Sequence, residues 1–188
     1  MLYTSRPSLR NFSPESVAEL ETTMWRAYYR HDFFRLFWLL MKLFKQQFGT
    51  RAITNLRLAY HSAIAAKAFR KTGNEKTTLR SLEKYYKLLS RRSGENFNAA
   101  QAAETELNWW VVHRYPENGS LAEALSKNMA VLYSLPIKSL FAYGKYRAQA
   151  MHLRDTAAHK NKNEPDWLSI QKALNSSYTA LSKAVTIE

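Results

Sequence analysis

Apolar residues recur at helical spacing along the chain, and start and stop signals divide it into about seven segments. Ser13 followed by Pro14 and Glu15 supplies a capping oxygen, a preset φ and a carboxylate at the positive end of a helix dipole. The pattern predicts one long first helix from there to Phe48, stopped by Gly49. Thr50 is the expected cap of a second helix to about Lys71, closed by Gly73 and Asn74. A third spans about Glu75 to Arg92 and ends at Gly94. Asn98 opens a fourth that Pro116 ends, and Ser120 with Glu123 forms the capping box of a fifth. Pro136 begins a sixth to about Lys160, and Pro165 a seventh to Val185.

The expectation is an all-α fold: one compact bundle of about seven helices with a long N-terminal helix, residues 14–188 as a single domain and residues 1–13 as an irregular arm. The stretch Phe33 to Phe44 has ten apolar residues in twelve but carries Arg35 and Lys42. It falls short of the roughly 20 residues that a membrane span needs. Its Phe34, Trp38 and Met41 lie on a different side from Leu36 and Leu43, so apolar surface wraps most of the cylinder. That is the pattern of a buried helix, with an interfacial helix as the lesser alternative.

Composition narrows the chemistry. Ala and Leu supply 46 residues against ten Val and Ile, a balance that favours helix over sheet. No cysteine means no disulfide, thiolate nucleophile or Cys-type zinc site. All five glycines are isolated, so no glycine-rich loop can wrap a phosphate or dinucleotide, and no cofactor is called for. Met1 to Ser13 is polar and broken by Arg6, Pro7 and Arg10, unlike a secretory leader; the expected location is the cytoplasm.

Charge points to a partner. The chain carries +13, of which +7 lies between Lys67 and Arg92. Lys76, Arg80, Lys84, Lys87 and Arg91, with Arg92, form a stripe opposite the leucines of the third helix. The leading expectation is a helical protein that binds an anionic partner, nucleic acid or an acidic protein, through this face. A solvated face of no further consequence is the plain alternative.

A second expectation comes from helical phase. Glu106 and His113, two turns apart with Trp110 between them, project to the apolar side of the fourth helix; Arg147 and Arg154 do the same on the sixth. Buried charges need partners. They form either a structural network with Glu21, Asp32 and Asp155, or a pocket of an enzyme or small-ligand binder. In the pocket, Arg147 and Arg154 grip an anion, Trp25, Tyr28 and Trp110 form walls, and Glu106 and His113 move a proton. A third, lesser reading is a metal site. Glu106, His113, His152, Asp155 and His159 resemble, in ligand type and spacing alone, helical di-iron oxygenases of the haem-oxygenase-like class. The projection places His152 and His159 on the wet side with Lys145, so no metal ligand is assigned.

Overall fold

The computed structural model describes residues 8–72, 75–159 and 164–186, except for the side chains of residues 71, 72 and 157–159. Eight α-helices and no strand are found among them: α1 Pro14–Tyr29, α2 Phe33–Phe48, α3 Ala52–Thr72, α4 Glu75–Ser93, α5 Ala99–Arg114, α6 Leu121–Tyr133, α7 Ile137–His159 and α8 Trp167–Thr186. The turn expected at Gly73 and Asn74 lies outside the described residues.

The caps follow the local chemistry. Ser13, Asn98 and Ser120 each accept hydrogen bonds from backbone N–H groups in the first turn of the helix they open. Asp166, rather than Pro165, opens α8 by accepting from Leu168 N and Ser169 N, both at 3.1 Å. Thr50 is not the cap of α3. Its hydroxyl is bonded to the Asn55 side chain and is buried, and the helix starts at Ala52.

The single long N-terminal helix is not formed. His31 takes the left-handed conformation at φ 56°, and Asp32 caps a new helix by accepting from Arg35 N at 3.0 Å. A short acid at the turn competes for backbone donors better than the continuing helix does, so α1 and α2 separate without glycine or proline.

Each helix packs on its successor, and α8 returns onto α1, so the eight form a closed ring of neighbours around one apolar cluster. Leu58, Leu89, Leu140, Ile170, Leu174 and Leu181 are fully buried in it. The segment before α1 is pinned rather than loose from Ser8 onward. Leu9 and Phe12 enter the core, Tyr133 donates to Leu9 O at 2.9 Å, and Arg10 bridges Glu95 and Tyr133 O.

The α6–α7 crossing is tight at Gly144. A Cβ there would stand 2.1 Å from Ala122 O and 2.2 Å from Ser126 Oγ. The Ser126 hydroxyl itself bridges Ala122 O and Leu140 O across the two helices.

The reading of Phe33–Phe44 as a buried helix is overturned. In α2 only Leu39, Leu43 and Phe44 are buried, while Phe33, Phe34, Phe37 and Trp38 are exposed. The helix packs chiefly on α1 and α3, with Phe44 also meeting Tyr85 of α4, and is left uncovered on its outer side.

Candidate functional site

Three groups of side chains carry chemistry. The first is the basic face. Lys76, Arg80, Lys84, Lys87, Arg91 and Arg92 are all exposed on α4, and Thr78, Ser81, Leu82, Tyr86 and Leu89 are buried on its inner side. Among the described residues, one of the six has an acidic partner: Lys87, 3.3 Å from Glu83 one turn back.

Neighbouring α3 adds exposed Arg57, Lys67 and Arg70. His61 on α3 registers that field. Burial first, and then the charges of Lys84 and Arg57, hold its imidazole below the ordinary value of 6.5. The concentration extends further than α4. Residues 33–92 hold 14 of the 28 Lys and Arg but two of the 15 Asp and Glu, so this segment carries +12 of the net +13. Those residues are α2, α3 and α4 with their connections.

The second group is a polar core formed where α1, α7 and α8 meet. Arg147 donates to both oxygens of Glu21, at 2.6 and 2.8 Å, and Tyr178 donates to Glu21 Oε2 at 2.6 Å. Burial alone pushes the Glu21 carboxyl up. Arg147, by charge and by hydrogen bonding, together with Tyr178, outweighs it and leaves the group below its ordinary value. This fork-to-fork geometry commits two of the Arg147 donors to a carboxylate of its own chain, and a third bond runs from Nη1 to Tyr178 Oη at 3.3 Å.

Among the described residues, Glu106 meets no cation at hydrogen-bond distance. It accepts from Tyr86 Oη at 3.0 Å, Trp109 Nε1 at 2.7 Å and Trp110 Nε1 at 2.9 Å. Burial raises its carboxyl by more than those three donors and the charge of Arg147 lower it. A void of about 170 Å³ separates this neighbourhood from Arg147, with Tyr143 and Tyr178 also on its walls.

The third group faces outward. His113 Nε2 on α5 lies 2.7 Å from Asp155 Oδ2 on α7, and Arg154 Nε donates to Asp155 Oδ1 at 2.7 Å. Burial raises Asp155, but the hydrogen bonds from His113 and Arg154 outweigh it and bring the group to about 2. An ionised carboxylate only accepts, so His113 Nε2 carries a proton and donates it to the hydrogen bond with Asp155. Arg154 also stacks over the Trp25 ring at 4.6 Å. All three polar residues line a cleft of about 1100 Å³ whose apolar walls include Tyr28, Tyr29, Phe69, Trp109, Trp110 and Met151.

The four residues expected together are thus divided: Arg147 with Glu21, Glu106 with its three aromatic donors, and His113 with Arg154 through Asp155. Trp110 borders both cavities, Tyr28 the cleft alone, and Trp25 stays in the core beneath Arg154. Asp32 belongs to none of them, being the exposed cap of α2. Tyr86, Trp109 and Tyr178 complete the polar core and escaped the sequence reading, because buried tyrosine and tryptophan look like packing until their donors find a carboxylate.

The metal set does not assemble. His152 is exposed and sits 3.4 Å from the Thr156 hydroxyl, the His159 side chain lies outside the described residues, and no three His, Asp or Glu side chains among the described residues converge to hold an ion. No helix among the described residues is long and apolar enough to cross a membrane. Compared with protein-family models, curated proteins and solved structures, the chain matches none of them.

Proposed function

We propose that the protein binds an extended anionic partner through the half of the molecule built from α2, α3 and α4. The observation that carries this reading is the concentration of +12 of the net charge in those three helices and their connections, with five of the six α4 stripe cations left without an acidic partner among the described residues. Cations grouped on one side raise the local concentration of a polyanion and release counterions when they meet it, so affinity falls steeply with salt. The test is binding to a single-stranded oligonucleotide and to anionic vesicles across a salt series. Lys84→Glu with Lys87→Glu and Arg91→Glu, all exposed, leaves the fold intact and lowers affinity by at least about tenfold. Binding that ignores both salt and the triple reversal refutes the reading.

The cleft supports a second reading, a small-ligand binder or enzyme that takes a largely apolar molecule with an anionic end. His113 held by Asp155 is arranged as a proton acceptor at its wall, and Arg154 places a cation beside it. In this reading Asp155 positions the imidazole and Trp110 forms the floor. A naphthalene sulfonate dye serves as the probe. Saturable binding by the wild type that weakens in Trp110→Ala and in Arg154→Met supports a cleft ligand site, and equal binding by both variants removes it.

A further inference from the structure

We infer that the anionic partner is a lipid bilayer, and that α2 lies in its interface with Phe34 and Trp38 among the acyl chains; this rests on the reading of the basic half given above. The outer side of α2 is unusual for a protein surface. Phe33 is 62% exposed, Phe34 87%, Phe37 43% and Trp38 59%. Bulky apolar groups gathered in one uncovered patch mark an interaction surface.

At 100° per residue these four side chains fall within one arc, which exposed Lys45 enters two turns beyond Trp38, and Lys42 and Arg35 border it on one edge. Exposed apolar side chains recur on α3, where Ile53 is 65% and Leu56 43% exposed. No Asp or Glu occurs from Phe33 to Asn74, a stretch that holds eight Lys and Arg. An apolar stripe with a cationic long edge, its one nearby acid being the Asp32 cap at the N-terminal end, is complementary to acyl chains below anionic headgroups. The 16 residues of α2 reach about 24 Å and cannot cross a bilayer, so the helix lies along the surface.

Other occupants fit less well. A second copy docked through the same face would press two halves of +12 against each other. Nucleic acid would use the rings as stacking platforms but gains nothing from the exposed aliphatic side chains of Ile53 and Leu56. A bilayer accepts rings and aliphatic groups alike.

The experiment is flotation of the whole protein with phosphatidylcholine vesicles, with and without about 30% phosphatidylserine, at physiological salt. Three results are expected. The protein floats with the anionic vesicles, and lipids brominated along the acyl chain quench its tryptophan emission. Trp38→Phe keeps the partitioning and loses most of the quenching. Phe34→Ser with Trp38→Ser lowers vesicle partitioning at least about tenfold while helix content and oligonucleotide binding stay at wild-type level. Reversing Lys42 and Arg35 to Glu removes the preference for phosphatidylserine.

If the double serine variant floats like the wild type, or quenching is absent, α2 does not insert and the inference fails while the basic-half reading stands. If neither vesicles nor oligonucleotides bind, both fail together. Sedimentation that shows a dimer abolished by the double serine variant assigns the face to a second copy and overturns the bilayer.

Discussion

Replacing Glu21 with Leu removes the carboxylate that neutralises Arg147 and leaves the guanidinium enclosed by α1, α7 and α8 with one weak partner, Tyr178 Oη at 3.3 Å. Side-chain exposures of 15% for Arg147 and 4% for Glu21 place the pair where water cannot substitute for the lost acceptor. Two charge-assisted hydrogen bonds and a third from Tyr178 disappear, each worth about 1.5–3 kcal/mol, but the net loss is that of a broken buried pair, about 3–5 kcal/mol. For a chain of this size that lowers Tm by roughly 6–20 °C. Adding Arg147→Met to Glu21→Leu removes the orphaned charge, and most of the loss is recovered, because two apolar groups of similar volume replace both ions.

Urea unfolding followed by circular dichroism measures both variants, with the slope of the transition confirming that the unfolded state is unchanged. A cost below about 1 kcal/mol for Glu21→Leu refutes the reasoning, as does a double variant no more stable than the single one. The pH dependence gives an independent sign. The folded value of Glu21 lies below its ordinary 4.5, so its contribution is complete above that value and is lost as pH falls through the lowered one. Glu21→Leu flattens the acid limb of the stability curve.

Four further outcomes follow from particular residues. Gly144→Ala drives a Cβ into Ala122 O and costs about 1–3 kcal/mol through overpacking, despite the better helix propensity of alanine, as thermal unfolding will record. Asp32→Ala removes the cap of α2 and costs about 1 kcal/mol, and amide exchange should show earlier opening of Phe33 to Leu36. Asp155, brought to about 2, adds stability that is full above 3.8 and lost as pH falls through about 2, so Asp155→Asn loses that dependence in an acid titration. Tyr143, raised to about 12 by burial, should ionise in an alkaline absorbance titration only well after exposed tyrosines have done so.

The caps at Ser13, Asn98 and Ser120 were legible because a capping side chain and the donors it satisfies lie within one turn of sequence. The break at His31 was not, since Arg30, His31 and Asp32 all fit on the polar side of a continuing helix and only the rival bond from Arg35 N ends it. The polar core shows the same division. Phase alone marks Glu106 and Arg147 as inward, but which carboxylate meets Arg147 depends on α1 returning to the α7–α8 pair, which brings Glu21 to a residue 126 positions away that local pattern does not encode. On α2 the apolar periodicity was read correctly and its consequence was not. Hydrophobicity says that a surface avoids water, and neighbours decide whether protein does the covering.

Seven of the eight seams around the ring, among the described residues, join helices consecutive in the chain, and those can zip up locally. The eighth joins the two ends, where Tyr178 meets Glu21 across 157 positions, so the costliest single loop closure of the ring falls there. Lesions at this seam should therefore quicken unfolding while leaving the refolding limb of a chevron nearly untouched.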